Sequence, residues 1–250
     1  MTWSSLFILF FLGIGVGFIN VISAGGSLIS LPVLVFLGLP SAMANGTNRI
    51  GILAQNISAF IEFYRKGLIK WKLSLLLSVP AVIASLIGAT FAIDLPDTTF
   101  NNIMAIIMVV VILLILFKPQ QYVKMKNQEF TLTKKILLFI SFLIVGFYGG
   151  FIQAGVGFLI IAFLSILASK LMLVEMHSIK TVVITIYMLT STVVYIMHGQ
   201  VNWSYAIILA IGSWIGGWLG SKFAMKVSEK FLKIIMTIVI FSMASILLLF

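Results

Sequence analysis

Gly67-Leu68-Ile69-Lys70-Trp71 returns further along the chain as Gly199-Gln200-Val201-Asn202-Trp203. The shift is 199 − 67 = 132 residues, and it persists downstream: Gly88 meets Gly220, Phe91 meets Phe223 and Ala92 meets Ala224. Upstream, Ser23-Ala24-Gly25-Gly26-Ser27 aligns with Gln153-Ala154-Gly155-Val156-Gly157 at an offset about two residues smaller. Each copy of the Gly–Trp motif joins two long apolar stretches. The chain therefore divides into two related halves, each a string of hydrophobic segments.

Those segments number ten. The first half has 5–22, 27–39, 43–64, 71–92 and 100–117; the second has 134–150, 156–169, 177–198, 203–224 and 231–250. Most reach the ~20 residues needed to cross the hydrocarbon core of a bilayer. The second of each half is shorter and follows a glycine-rich break. Composition agrees: 62% of the 250 residues are hydrophobic and 9% are charged, whereas a soluble domain carries roughly a quarter charged residues. The stretch from Leu6 to Ile19 has no basic residue before it, and the first Lys or Arg is Arg49. It is read as a retained helix, not a cleaved leader.

The basic residues fix an expected topology. Arg65, Lys66, Lys70 and Lys72 form one cluster; Lys118, Lys124, Lys126, Lys134 and Lys135 a second; Lys222, Lys226, Lys230 and Lys233 a third. If every segment crosses, these clusters share one side, and Asp94, Asp97 and the chargeless loop 198–202 share the other. The bias of Lys and Arg toward the cytoplasm places both termini outside. Five crossings per half is odd, so the second half is inverted relative to the first, an arrangement common in secondary transporters. The expected fold is an all-α integral membrane protein of two inverted repeats, 1–117 and 136–250, around a cytoplasmic linker at 118–135. The first two segments of each repeat form a broken or short hairpin. The net charge of +10 lies in short clusters between apolar runs, which is a membrane pattern and not that of a nucleic-acid groove.

Candidate site residues lie at the breaks and on the third segments. Ser23, Gly25, Gly26 and Ser27, with Gln153, Gly155 and Gly157, sit where a new helix begins, and the amides of a helix N-terminus favour an anion. Asn45, Thr47, Asn48 and Arg49 open one third segment; His177, Ser178 and Lys180 open the other. Asn48, Gln55 and Glu62 recur at heptad spacing with Asn56 alongside, a polar stripe that cannot face lipid. Intramembrane charge is costly and is a functional candidate by default. Arg49 and Lys180 could instead snorkel to the interfaces, but their matched places in two copies favour a role at a site. Glu62 belongs with Arg65 and Lys66 near the cytoplasm. The small residues Pro80, Ala84, Gly88 and Ala92, and Gly212, Gly216, Gly220 and Ala224, mark faces where helices pack closely; alanine at Gly216 is expected to be milder than leucine. With no cysteine and no paired carboxylates or H-E-x-x-H motif, the sequence offers no metal, cofactor or catalytic set.

The run from Asn20 to Ser27 ahead of Pro32, then Ala44-Asn45-Gly46-Thr47-Asn48, then Tyr64 with Gly67 to Trp71, resembles the sulfite exporter TauE/SafE family. Gly155-Val156-Gly157 and Lys180 resemble its second copies. The resemblance implies a multi-span inner-membrane transporter of sulfite, sulfonates or related organosulfur anions, without cofactor, whose partners are a small anionic substrate and the bilayer. A transporter or channel for another small anion, and a membrane-embedded enzyme or assembly factor, remain alternatives. Whether the chain forms a homo-oligomer stays open.

The absence of cysteine makes the topology directly testable. Single cysteines at Gln121 and Lys226 are expected to react only from the cytoplasmic side, and those at Asp97 and Gln200 only from outside. Labelling of the Asp97 and Lys226 positions from one side overturns the arrangement.

Overall fold

The computed structural model describes residues 3–23, 25–116, 132–168 and 171–226. Within them run nine α-helices and no strand: α1 (Trp3–Ser23), α2 (Ser27–Phe36), α3 (Ser41–Arg65), α4 (Trp71–Ile93), α5 (Asp97–Leu116), α6 (Leu132–Phe151), α7 (Val156–Leu167), α8 (Leu173–Met197) and α9 (Trp203–Lys226). The tenth expected segment, 231–250, and most of the linker lie outside the described residues. Five helices, α1, α4, α6, α8 and α9, are long and apolar enough to cross a membrane. At 25 residues α3 is as long as α8, but its polar stripe lowers its hydropathy. With 10 and 12 residues, α2 and α7 reach about 15 and 18 Å at the α-helical rise. The helical part of each falls short of a hydrocarbon core of about 30 Å.

The repeated Gly–Trp motif is a helix stop. Gly67 and Gly199 both take positive φ, +66° and +68°, a conformation glycine adopts without a Cβ clash. Their helices end identically. After α3, Gly67 N–H donates to the Tyr64 carbonyl and Leu68 N–H to that of Phe63; after α8, Gly199 donates to Ile196 and Gln200 to Tyr195. This pairing satisfies carbonyls that a helix end leaves open, and Trp71 and Trp203 then begin α4 and α9.

The helices pack across the two halves. α1 lies most extensively against α9, and α6 against α4; α3 also packs on α9, α8 on α4, and α3 on α8. Along α1 and α9 the contacts rise in step, Gly212 against Phe10, Gly216 against Ile14 and Gly220 against Phe18, so these helices are parallel. Gly146 and Gly150 of α6 meet Ala81 and Ser85 of α4 in the same parallel sense. The third helices run oppositely. Asn45, at the start of α3, bonds Tyr195 near the end of α8, and Ser178, at the start of α8, donates to the Leu68 carbonyl just past α3.

Each third helix also braces the loop of the other half. Thr47 Oγ1 accepts from Asn202 N–H at 2.9 Å, holding the α8–α9 loop. Ser178 Oγ and the Glu175–Lys70 ion pair, 3.0 and 2.6 Å, hold the α3–α4 loop. The bundle is apolar outside and polar within: Phe11, Val79, Ile144 and Ile207 are exposed, whereas Arg49 is 0% and Lys180 2% exposed. Neither cation snorkels to an interface. Glu62 pairs with Arg65 at 3.5 Å.

The small-residue faces are backbone-to-backbone contacts. A Cβ added at Gly216 would overlap the Ile14 carbonyl oxygen, and one at Gly88 the Phe147 carbonyl. Backbone cannot yield as a side chain does, so alanine already exceeds the space. Gly216→Ala and Gly88→Ala are each expected to cost about 1–3 kcal/mol as overpacking, seen as a lower melting temperature in detergent. Gly15, with nothing within 4 Å of its added Cβ, is the control; an unchanged Gly216→Ala melting point contradicts the packing.

Candidate functional site

Both glycine-rich breaks lie inside the bundle and touch each other. The Ser27 backbone N–H donates to Asn20 Oδ1 at 3.1 Å, and the Ser27 hydroxyl accepts from Gly155 N–H at 3.1 Å. Gly155 takes a left-handed φ of +73°, as does Gln153 at +68°. A non-glycine residue there is uncommon. Gln153 is held by its side chain, whose Oε1 accepts from the Tyr187 hydroxyl at 2.7 Å. Gly26 sits against the Val16 backbone, where any side chain would collide. Tyr148 donates to the Ala154 carbonyl and so closes the second break on itself.

A helix that stops within a membrane leaves carbonyls facing hydrocarbon, and each unsatisfied group is expensive there. The two buried cations meet that need. Lys180 Nζ donates to the carbonyls of Asn20 at 2.8 Å and Val21 at 3.1 Å, at the end of α1. Arg49 Nη2 donates to the Gly150 carbonyl at the end of α6. Asn20 and Gly150 are 150 − 20 = 130 residues apart, the same interval that separates Gly25 from Gly155 and Ser27 from Gly157. Each positive charge thus sits at the negative end of a helix dipole, and each comes from the third helix of the opposite half. Arg49 is fixed further by Ser191 Oγ at 3.0 Å and by the Tyr195 ring, its guanidinium carbon 4.4 Å from the centroid. Asn45 Nδ2 reinforces the same helix end through the Phe151 carbonyl, 2.6 Å, and the Tyr195 hydroxyl, 2.8 Å.

Between the breaks and the third helices lies one small polar cavity. Asn20, Ser27, Gln55 and Asn56 line it from the first half, and Gln153, Gly157 and Lys180 from the second. Its free volume is about 10 Å³, close to the least that a single water needs. Gln55 Oε1 is buried there without a hydrogen-bond partner. The Asn56 amide donates to the Ile52 carbonyl of its own helix at 2.8 Å.

Of the residues expected at a site, the structure brings Ser27, Gln55, Asn56, Gln153, Gly157 and Lys180 to the cavity, with Gly155 bonded at its edge. Arg49 and Asn45 form a separate cluster at the end of α6. Thr47 and Ser178 brace loops. Asn48 Nδ2 and both His177 ring nitrogens are buried without partners but do not line the cavity. Gly25 accepts from Leu28 N–H and shapes the first turn of α2. Ser23 closes α1, and its side chain lies outside the described residues. Asn20, Tyr187 and Tyr195 are the residues that candidate selection passed over. Tyr187 falls 132 residues after Gln55, so the repeat interval itself points to it.

A family model described as sulfite exporter TauE/SafE matches residues 9–247. The chain belongs to the sulfite exporter TauE/SafE family. This TauE/SafE protein is also similar to a "probable membrane transporter protein" of Haemophilus influenzae, 27% identical over 241 residues that cover 96% of this chain and 93% of the relative. It resembles YfcA of Escherichia coli K12, 25% identical over 95% of this chain and 90% of YfcA, and YunE of Bacillus subtilis, 24% identical over 94% of each; both carry the same description. No solved structure matches it significantly. The protein is a multi-pass membrane transporter.

In this TauE/SafE chain the caps predict a stability signature. Lys180→Met removes a charged donor from two carbonyls, and leaving such acceptors buried costs about 1–3 kcal/mol. The variant is expected to melt lower than wild type, and Lys180→Arg, which keeps charge and donors, is expected to recover part of the loss. Equal melting of Lys180→Met and wild type means that the α1 carbonyls find other partners.

Proposed function

We propose that the protein is an inverted-repeat transporter that exports a small sulfur-containing anion, such as sulfite or a sulfonate, by alternating access. The observation that carries this reading is the single polar cavity at which both breaks and both third helices meet. Transporters of inverted-repeat design place their sites where discontinuous helices converge near the bilayer midplane. Four contacts support the inverted relation. α1 packs on α9 as α6 packs on α4, α3 and α8 run oppositely, Lys180 and Arg49 cap equivalent carbonyls, and Thr47 and Ser178 brace equivalent loops. The repeats are 1–117 and 136–250, with the linker 118–135 and the lysine clusters in the cytoplasm and both termini outside.

The chemistry of the cavity suits an oxyanion. Amide groups of Asn20, Asn56 and Gln153, the Ser27 hydroxyl and the Lys180 ammonium supply donors that spread over several acceptor oxygens. Lys180 spends two of its three N–H bonds on carbonyls, which leaves one for a ligand. An oxyanion of several atoms exceeds the present free volume, so binding requires the breaks and third helices to part. That separation and its reversal on the opposite face are the alternating-access step.

Purified protein in proteoliposomes loaded with sulfite, sulfate, thiosulfate or a small sulfonate tests the reading. Saturable flux of one of these is expected, with the others competing. Lys180→Gln is expected to weaken the apparent affinity ten- to a hundred-fold, the equivalent of about 1.5–3 kcal/mol for one charge-assisted bond. Absence of flux for all of them from folded protein overturns the sulfur-anion assignment.

A further inference from the structure

A second, larger cavity lies beyond the first along the same helices. Gln55 lines the central cavity, and Glu62, one heptad later on α3, lines a space of about 450 Å³ with Lys66, Leu68, Lys222, Met225 and Lys226. Seven residues advance an α-helix about 10 Å. On α9, Gly217 sits against the Gln55 backbone, and Lys222 to Lys226 follow it toward the same end. α3 thus lines both spaces, and α9, packed along it, lines the larger one.

What separates the spaces is apolar. Val21, Ala59 and Phe63 are buried together, and Leu68, Ile69, Val174 and Met225 pack against them. Leu68 and Met225 belong to that cluster and also line the larger cavity, so its floor is the outer surface of an apolar plug. Val21 gives its side chain to the plug and its carbonyl to Lys180. Any displacement of the α1 end from Lys180 therefore moves the plug.

Charge in the larger cavity is one-sided. Three lysines and one carboxylate line it, and that carboxylate already pairs with Arg65. Lys222 is held in place by the Trp218 ring, its Nζ 3.8 Å from the centroid. A concave basic space focuses its field and raises the local concentration of anions ten- to a thousand-fold.

We infer that this cavity is an anion-binding antechamber, closed off from the central cavity by the Val21–Ala59–Phe63 plug. It deepens the transport reading and rests on it. Its ligand is a small oxyanion, free in the cytoplasm or carried on a phospholipid headgroup. Lys66, Lys222 and Lys226 hold that ligand by charge until the plug opens. Lys180, by releasing the α1 end, is the latch of that gate.

The full-length protein, free of native cysteine, permits a charge-selective test in nanodiscs. Met225→Cys is treated with anionic and cationic thiosulfonate reagents of similar size. The anionic reagent is expected to react at least about ten times faster, and Lys222→Gln with Lys226→Gln is expected to bring the ratio toward one. Sulfate should slow the anionic reaction. Nanodiscs with and without phosphatidylglycerol identify the source: protection by sulfate in zwitterionic discs indicates a free anion, and protection only by added phosphatidylglycerol indicates a headgroup. Equal rates for both reagents, a ratio indifferent to the lysines, or no protection in either disc overturns the antechamber. Leu68→Cys provides the same test should Met225→Cys not fold. Flux is measured separately, where the two lysine variants are expected to raise the half-saturating concentration on the lysine side and leave the maximal rate. Charge-selective labelling without flux of any of these sulfur anions sinks the sulfur-anion reading and leaves the anion site standing.

Discussion

A helix that stops in hydrocarbon exposes backbone carbonyls that neither water nor a next turn can satisfy. This chain ends two apolar helices, α1 and α6, inside the bundle and supplies each with a cation from the far half. Lys180 must reach Asn20 and Val21, and Arg49 must reach Gly150. Those distances dictate much of the rest. They tie α8 to the end of α1 and α3 to the end of α6, beside the point where Ser27 bonds Gly155. Charges so paired are tolerated in the membrane interior because each one neutralises a dipole end and fills hydrogen-bond acceptors that would otherwise be empty.

The rigid parts of the bundle follow from a second constraint. Lipid offers no hydrophobic reward for helix association, so close backbone contact must supply the attraction. The α1–α9 and α4–α6 pairs meet through glycine against carbonyl oxygen, with no side chain between to take up slack. The contacts between the breaks and the third helices are instead polar. Glycine packing and reciprocal capping are thus two different kinds of contact, one backbone against backbone and one charge against helix end.

The sequence made the helix stops, the breaks and the polar stripe of α3 readable because each needs particular side chains. Gly67 and Gly199 are legible since a positive φ selects glycine. Gln55 and Lys180 are legible since polar groups in apolar segments have few alternatives. What Arg49 and Lys180 bond to was not legible: backbone carbonyls leave no trace in residue identity, so both cations read as groups waiting for an anion. Asn20 opens the run 20–27 that carries the family resemblance, but its bond from the Ser27 amide leaves no trace in residue identity either. Helix spacing alone marked Gly216 as a close-packing position and ranked alanine below leucine in cost. Only the carbonyl of Ile14, from a helix far away in the chain, shows that there is no room for a methyl.

The exchange of first helices between halves bears on how the protein is made. Gly13 of α1 lies against Leu209 and Ser213 of α9, about 200 residues later in the chain. At 5–20 residues per second of synthesis, roughly 10–40 seconds pass before that surface emerges. During this time α1 resides in the bilayer with its small-residue face against lipid tails, held by its own apolar length. The same wait leaves the carbonyls of Asn20 and Val21 without Lys180. The first half therefore completes insertion well before it can assume its final shape. A nascent chain interrupted before α8 would be a membrane-inserted intermediate with an open helix end, a surface suited to a membrane chaperone or a quality-control protease.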